Sequence, residues 1–395
     1  MKYQACLLIL FISFHAVLSS QSCLPKGIRF TTQGQIDSFQ ENYPGCNLIE
    51  GDLYIGIYTG ASDITNLNGL MVLDSLGGRL IIEYNDFLTS IEGLSNLTSV
   101  GGQVGIWLNS SLTSLTGLEG LTIIKSNLGV GRDDLLTDLS GLDNLTTVEG
   151  SLEISGNDAL VSLSGLEGVT TIGGSLRIND NNVLPDLTGL DNLMMTGSGI
   201  EIEFNDSLTS LNGLEELISI GDGAIRLKAN YALANIAGLE NIDAGSIGGL
   251  SVGWNTALSQ CDIYSICEYL ANPGGEAVIR YNAPGCNTPA EVEDACSVGM
   301  GESAVGSWQS AVVCYPNPAF NHVFFDFNLQ TQSEVHLSVF NNLGQKLATI
   351  HNGTLEKGDH RLKWNAAGFP AGIYFYRFSN PATRNPEMGK LLISR

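Results

Sequence analysis

The chain has 395 residues, enough for two or three domains, and its 43% hydrophobic and 15% charged residues are typical of a globular protein rather than a disordered one. The formal net charge is −23 and is unevenly spread. Residues 21–313 carry nine basic and 36 acidic side chains, whereas residues 314–395 carry eight and five. The acidic part would repel a phosphate backbone, so a nucleic-acid partner is not expected.

The N-terminus has the pattern of a secretory signal peptide. Lys2 precedes an apolar run from Ala5 to Leu18, and Ser19-Ser20-Gln21 supplies the small residues of a cleavage site. The run is too short to span a bilayer, and no later segment is long and apolar enough to predict a transmembrane segment. We therefore assign residues 1–20 to a signal peptide, with an N-terminal membrane anchor as the alternative.

The cysteines that remain after cleavage bracket a long cysteine-free segment. They are Cys23, Cys46, Cys261, Cys267, Cys286, Cys296 and Cys314. Export permits disulfides, and disulfides stabilise small caps that cannot build a core of their own. The first two form the natural pair of an N-terminal cap over 21–50.

The four cysteines of a C-terminal cap over 261–296 allow three pairings. Among these we favour Cys261–Cys286 together with Cys267–Cys296. A zinc site is the rival interpretation, but the spacings lack a Cys-x-x-Cys clamp, so no metal and no cofactor are expected. Cys314 falls outside this scheme.

Between the two caps, residues 51–260 repeat one motif with a period of 24. Glycines mark the same place in successive repeats: Gly69, Gly93, Gly117, Gly141, Gly165, Gly189, Gly213 and, one residue late, Gly238. An Asn/Asp column has the same period: Asn85, Asn109, Asp133, Asn157, Asn181, Asn205, Asn230 and Asn255. A fixed period of this length predicts a solenoid, in which each unit buries its apolar face against its neighbours.

Each repeat contains one short alternating segment, as in residues 151–155. Its apolar Leu152 and Ile154 should point into the core, and its polar Glu153 and Ser155 should point out. The asparagine column should turn the chain and bond the backbone of neighbouring repeats, which is a structural role.

Two known families share this period. The segment from Cys46 to Ile55, followed by Gly69-Leu70 and by residues 76–82, resembles the opening of a receptor L domain, and the repeats also resemble leucine-rich repeats. The resemblance covers roughly residues 46–285. It implies an all-β fold, a right-handed β-helix or leucine-rich-repeat-like solenoid of 24-residue coils, and a binding role.

The solenoid is followed by a change of pattern. Residues 262–270 and 291–296 predict short helices of the cap, and the Gly/Ser-rich stretch 297–313 predicts a linker. From Cys314 onward, short alternating runs such as Val323–Phe327 and Val335–Phe340, separated by turn signals, predict a small β-sandwich.

Residues 314–395 also contain motifs in a recognisable order. They are Tyr315-Pro316-Asn317-Pro318, Asn342-Leu343-Gly344-Gln345, Ala371-Gly372-Ile373-Tyr374-Phe375-Tyr376 and Gly389-Lys390-Leu391-Leu392-Ile393. These motifs closely resemble the type A C-terminal sorting domain of the type IX secretion system of Bacteroidetes-type bacteria. The resemblance implies a type IX secretion partner, export across the outer membrane, and release or attachment at the cell surface.

Outward strand positions are the candidate ligand-binding residues. One outward column contains Tyr54, Glu153, Arg177, Glu201 and Arg226, the next contains Trp107, and Tyr84 lies nearby. The charges of the first column alternate, which also suits cross-strand stabilisation. The aromatic residues could stack on a sugar or contact a protein, and packing against a loop is an equal alternative.

The predicted solenoid contains few residues that could act in catalysis. All five histidines lie in the signal peptide or the C-terminal domain, so a histidine base has no place there. The best carboxylate candidates are Asp133 and Asp134 beside Arg132. Asp86, Asp134, Asp158 and Asp206 form an acidic column for which calcium is conceivable, and a solvated column is the simpler interpretation.

We therefore expect a non-enzymatic, surface-displayed binding or adhesion protein that recognises a glycan or a protein on its strand face. One alternative is a carboxylate-based polysaccharide-active enzyme with a β-helix fold. Another is a structural component of the surface layer.

Overall fold

The computed structural model describes residues 21–58, 62–299, 312–315, 319, 322–341, 344–370, 372–380 and 387–393. These residues are mostly strands with a few short helices, which confirms the predicted all-β class. The predicted signal peptide, residues 1–20, lies outside the described residues, as do residues 300–311 of the predicted linker. Among the described residues, no helix is long and apolar enough to cross a membrane.

The central element is a parallel sheet of 11 strands in which neighbours in the sheet are successive repeats of the chain. Its strands, in chain order, are β2 Ile28–Phe30, β4 Leu53–Ile55, β6 Leu80–Glu83, β8 Val104–Trp107, β10 Leu128–Gly131, β12 Leu152–Ser155, β14 Leu176–Asn179, β16 Gly199–Glu203, β17 Gly223–Lys228, β18 Ile247–Gly253 and β19 Ala277–Arg280. We call residues 51–260 the repeat region.

The period of the sequence sets the register of this sheet. Leu152 pairs with Leu128 on one side and with Leu176 on the other, each 24 residues away. The step lengthens to 25 residues between Ile200 and Ile225. Because equivalent residues pair, every side-chain column that the sequence predicted is continuous across the strands.

Alternation within each strand separates core from surface. Leu152, Leu176 and Ile225 are fully buried, whereas Glu153 is half-buried and Arg226 is exposed, as predicted. One hydrophobic cluster contains the three buried residues and extends along the repeats from Phe30 to Cys296.

Two further parallel sheets, each of four short strands, are formed by the segments that precede the main-sheet strands from β2 to β16. The first contains β1 Gln21–Cys23, β3 Cys46–Ile49, β5 Ser75–Leu76 and β7 Ser99–Val100. The second contains β9 Ile123–Ile124, β11 Thr147–Val148, β13 Thr171–Ile172 and β15 Met195–Thr196. The remaining turns include 3₁₀ segments at Asn68–Leu70, Glu92–Leu94, Ala237–Leu239 and Ala244–Ser246.

The asparagine column forms a buried ladder of hydrogen bonds. Its eight members from Asn85 to Asn255 are fully buried. In a representative repeat, Asn181 Nδ2 donates to the Ile154 carbonyl at 2.9 Å, and Asn181 Oδ1 accepts from the backbone N–H of Asn157 at 3.1 Å. Asn282 extends the ladder by one step, since its Oδ1 accepts from the Asn255 N–H at 3.0 Å. The column is structural, as the sequence analysis expected.

The repeated glycines allow the repeats to approach one another closely. Gly165 has φ +107°, and a Cβ there would lie 2.2 Å from the Leu139 carbonyl oxygen of the preceding repeat. A side chain is therefore excluded both by conformation and by contact.

Both ends of the repeat region are capped. The N-terminal cap contains α1 Gln33–Asp37 and α2 Phe39–Asn42, which the sequence analysis did not predict. The C-terminal cap contains α3 Tyr264–Ala271 and α4 Pro289–Gly299, which correspond to the two predicted helices. The end of α4 extends beyond the predicted start of the linker at residue 297.

Three disulfides stabilise the caps. They are Cys23–Cys46, Cys261–Cys286 and Cys267–Cys296, with Cα–Cα distances of 5.7, 5.5 and 5.7 Å. These are the pairs that the sequence analysis favoured. Cys314 lies in a C-terminal strand, opposite Phe325.

The C-terminal residues form a separate, antiparallel, sandwich-like region. One sheet contains β20 Val312–Tyr315, β21 His322–Leu329 and β24 Gly358–Asn365. The other contains β22 Ser333–Asn341, β23 Lys346–Leu355, β25 Gly372–Ser379 and β26 Glu387–Ile393. A second hydrophobic cluster lies between them, which includes Phe325, Leu337, Trp364 and Phe378.

A contact joins this region to the repeat region. Phe340 and Phe375 pack with Met194 and Ile218 in a third hydrophobic cluster. Beside it, Arg377 Nη2 lies 2.6 Å from Glu216 Oε1. Burial raises the pKa of Glu216 and the neighbouring Arg377 opposes that effect.

Candidate binding face

The outward side of the 11-stranded sheet carries the candidate residues, and we call it the strand face. Tyr54, Glu153, Arg177, Glu201 and Arg226 occupy one continuous column, since each pairs in register with its neighbour through Ile81, Gly105 and Gly129. Trp107 lies in the next column, between Glu83 and Gly131. The columns therefore follow the order that the sequence predicted.

Trp107 lies across the strand face on a floor of glycines. A Cβ on Gly129 would lie 2.1 Å from Trp107 Cζ2, and a Cβ on Gly131 would lie 2.4 Å from Cζ3. Gly105 lies beneath the pyrrole side of the ring, because its Cβ would be 2.9 Å from Trp107 Nε1. The indole is half-buried and needs all three glycines to occupy this position. It covers the sheet rather than packing against a loop.

Tyr54 and Tyr84 belong to a cluster at the N-terminal end of the strand face. The Arg29 guanidinium carbon lies 4.5 Å from the ring centroid of Tyr54 and 4.9 Å from that of Tyr58. The rings of Tyr58 and Tyr84 are 5.3 Å apart in an edge arrangement. The backbone of Tyr84 also donates to the Trp107 carbonyl at 3.2 Å. The structure thus places all three predicted aromatic residues in adjacent repeats.

The alternating charges form ion pairs along only part of their column. Glu201 Oε2 lies 3.6 Å from Arg177 Nε and 4.0 Å from Arg226 Nη1. Glu153 has no ion pair within 4.0 Å among the described residues. Ion pairs that are this exposed contribute about 0–1 kcal/mol each to the free energy of unfolding. The alternating charges therefore add little to the stability of the protein.

A third outward column was not predicted from the sequence. It consists of the residues that precede each ladder position, all with left-handed backbone: Tyr84, Leu108, Arg132, Gly156, Asp180, Phe204, Ala229, Trp254 and Tyr281, with φ between +54° and +72°. We call it the left-handed column. Only one of its nine members is glycine, although this conformation costs an L-residue about 1–2 kcal/mol. Its members share no side-chain type, so the residues alone do not indicate this column.

The carboxylates proposed for catalysis are not arranged as a pair. Asp133 is fully buried within the ladder, and its Oδ1 accepts from the Asn109 backbone N–H at 2.8 Å. Burial raises its pKa to about 7. Asp134 is exposed beside Arg132. The carboxylate of Asp133 therefore cannot reach a substrate from this position.

The acidic column lies partly in an open surface pocket of ≈ 460 Å³. Asp86, Asp134 and Asp158 line it together with Asp180 and Arg132, whereas Asp206 does not. Within the part of the chain that the structure describes, no group of three or more His, Cys, Asp or Glu side chains could hold a metal ion.

Comparison with known protein families identifies the C-terminal region. Residues 313–393 match the family model of the secretion system C-terminal sorting domain. This match, which is the type IX sorting domain, indicates that the protein is exported to the cell surface or secreted. A comparison with curated proteins finds no match for the chain.

Proposed function

We propose that residues 51–260 form a solenoid whose strand face binds a glycan or a protein at the cell surface. The observation that carries this proposal is the position of Trp107. Three glycines in two adjacent strands clear the space in which its indole lies flat over the sheet. A large aromatic residue supported in this way presents an extended apolar surface with little conformational entropy left to lose on binding.

The surroundings of Trp107 support the same proposal. The tyrosines at positions 54, 58 and 84 lie on one side, and two of them are more than one third exposed. The charged side chains of Arg177, Glu201 and Arg226 lie on the other side. Aromatic residues with polar neighbours are typical of recognition surfaces, where a few anchors supply most of the binding free energy.

The experiment compares the full chain with a double variant, Trp107→Ala with Tyr84→Ala, on an array of glycans and surface proteins. We expect wild-type protein to bind at least one ligand, and the double variant to bind it at least about tenfold more weakly. Leu152→Ala is the stability control, because it should cost about 2–5 kcal/mol of unfolding free energy while leaving the strand face in place. Unchanged binding by the double variant would place the site elsewhere.

The same array separates the alternative functions. A carboxylate-based polysaccharide-active enzyme would shorten its ligand, and the products would be seen by chromatography after incubation. A structural surface-layer component would bind none of the array and would instead be required for the integrity of the surface layer. We expect the ligand to remain intact after incubation, because Asp133 is buried in the ladder and cannot contact a ligand on the surface.

A further inference from the structure

The C-terminal end of the strand face carries a continuous stack of aromatic and cationic side chains. Lys228 Nζ lies 5.3 Å from the ring centroid of Phe204 and 5.5 Å from that of Trp254. The Arg280 guanidinium carbon lies 5.0 Å from the Trp254 centroid and 5.6 Å from that of Tyr281. Trp254 and Tyr281 also contact each other, with centroids 4.9 Å apart. We call these five residues the aromatic–cation stack.

The aromatic members of the stack are exposed and conformationally costly. Phe204, Trp254 and Tyr281 are 39%, 38% and 58% exposed. All three occupy the left-handed column, with φ of 58°, 58° and 60°. Glycine at these positions would remove the backbone strain, and a small polar residue would avoid exposing an aromatic ring to water. Stability therefore does not explain the presence of aromatic residues here.

Among the described residues, the cationic members form no ion pair within 4.0 Å, although Lys228 interacts electrostatically with Glu203. Lys228 pairs in register with Glu203, yet no ion pair within 4.0 Å involves Lys228 among the described residues. Arg280 pairs in register with Gly253, which has no side chain, and it too has no ion pair in the described part of the chain. Residues 21–313 have four times as many acidic as basic side chains. Even so, the cationic groups of Lys228 and Arg280 can pair with an anionic group of a ligand.

We propose that the aromatic–cation stack binds an acidic polysaccharide whose sugar rings carry carboxylate groups. This inference rests on the proposed function and names the ligand class for one end of the strand face. Sugar rings pack against the solvent-exposed parts of Trp254 and Tyr281, beside the cations that lie over the same rings. The planar guanidinium of Arg280 receives a carboxylate through two parallel N–H donors, and Lys228 receives the next one as a point charge.

The charge of the rest of the protein confines a polyanionic ligand to the aromatic–cation stack. The repeat region and its caps are strongly acidic, so a nucleic acid and an acidic polysaccharide are both repelled outside the two cations of the stack. An acidic polysaccharide carries its charges on side groups of the sugars, and its ring faces are apolar. Such a ligand contacts the aromatic rings of the stack with its apolar ring faces and the two cations with its carboxylates.

Isothermal titration calorimetry on the full chain tests the proposal with galacturonic acid oligomers and with the same oligomers after methyl esterification. The two probes share their sugar rings and differ in charge. We expect the acidic oligomer to bind and the ester to bind at least about tenfold more weakly. High salt should weaken the acidic interaction, since exposed charges are screened.

Variants locate the interaction. Trp254→Ala and Arg280→Gln should each lower the affinity for the acidic oligomer at least about tenfold, with unchanged circular dichroism and melting temperature. Phe87→Ala and Lys125→Ala remove an exposed aromatic and an exposed cation outside the stack, so they should bind as the wild type does. Glutamic acid oligomers, which carry carboxylates without sugar rings, should bind at least about tenfold more weakly than the acidic saccharide.

Several outcomes would overturn the inference. Equal binding of the ester, equal binding of glutamic acid oligomers, or wild-type affinity in both Trp254→Ala and Arg280→Gln would each do so. If a ligand is lost in Trp107→Ala with Tyr84→Ala but kept in Trp254→Ala, the stack is not the site and the proposed function still stands. Failure of the strand face to bind any glycan or protein would overturn both.

Discussion

At Asp133 a carboxyl group takes the place of a buried amide. Each neighbouring asparagine donates through Nδ2 to a carbonyl of the preceding repeat, as Asn157 does to Val130 at 3.3 Å. Asp133 accepts through Oδ1, but its Oδ2 has no hydrogen-bond partner among the described residues. A proton on Oδ2 would restore a donor at this place. Desolvation, which disfavours the ionised form, has the same effect and raises the pKa to about 7.

This substitution predicts a stability that falls with rising pH. The pKa of Asp133 is about 7 in the folded state, against an ordinary value of 3.8 that applies to the unfolded chain. Between these two pH values, only the folded protein keeps the proton on Asp133. The resulting stability is fully present below about pH 4 and is lost as the pH rises through 7. The loss is on the order of 2–4 kcal/mol.

Asp133→Asn should remove that dependence. The amide supplies the missing donor at every pH, so the variant should be more stable than the wild type at pH 8 and similar to it at pH 4. Urea unfolding between pH 4 and 8.5 measures both effects. Asp206→Asn is the matched control, because it removes an exposed carboxylate that does not contribute to the raised pKa of Asp133. A wild-type slope in Asp133→Asn would contradict the assignment.

At the scale of the element, two glycines with positive φ differ in what surrounds them. Gly165 has φ +107° and a Cβ there would meet a backbone oxygen at 2.2 Å. Gly156 has φ +72°, and its Cβ would lie 3.2 Å from Arg132 Cγ and at an ordinary contact distance of 3.8 Å from the Arg132 backbone nitrogen. The first glycine is required by contact between repeats, whereas the second occupies the left-handed column, where eight repeats tolerate other residues.

Gly165→Ala should therefore destabilise the repeat far more than Gly156→Asn. We expect a loss of at least about 2–3 kcal/mol for Gly165→Ala, because the backbones of two repeats must separate. Gly156→Asn should cost about 1 kcal/mol or less, since asparagine adopts left-handed backbone readily. Denaturant unfolding monitored by circular dichroism measures both. Similar losses for the two variants would show that close approach is not what selects Gly165.

The sequence predicted the columns because a strand has a period of two and the repeat has a period of 24. Those two numbers determine that Glu153, Arg177 and Glu201 are neighbours before any coordinates are known. Burial of Leu152 and the hydrogen bonds of Asn181 follow from the same periodicity. The predicted all-β class and the order of the strand face were therefore accessible from the residues alone.

The left-handed column could not be predicted from the sequence in the same way. Tyr84, Phe204 and Trp254 are poor residues for positive φ, so local propensity argues against the conformation they adopt. It is imposed by the buried asparagine that follows each of them, whose side chain must face inward. The aromatic–cation stack was missed for this reason, as were the helices of the N-terminal cap, which are only five and four residues long.

At the scale of the whole molecule, the sorting domain contacts the repeat region through a hydrophobic cluster and an ion pair. Phe340 and Phe375 cover Met194 and Ile218, and Arg377 pairs with Glu216. Each region otherwise has a hydrophobic cluster of its own. The two should therefore fold independently, and removal of the sorting domain would expose two apolar side chains of the repeat region.

Deletion of residues 314–395 should separate export from folding. In the native host we expect the truncated protein to accumulate in the periplasm with an unchanged melting profile for the repeat region. In the intact protein, mass spectrometry of surface material should find a C-terminus between residues 297 and 315, where an exposed linker was predicted. Trp107→Ala serves as the export control and should reach the surface. Surface display of the truncated protein would contradict this view of the tail.

The in-register stacking of the repeats has a consequence for how such a protein can change. A duplication of 24 residues, for example 157–180, would continue the ladder, the core and each outward column without a new type of contact. It would lengthen the molecule by one strand spacing, about 4.8 Å. Gain or loss of whole repeats would therefore change the length of the protein in equal increments, while each outward column keeps the same chemistry.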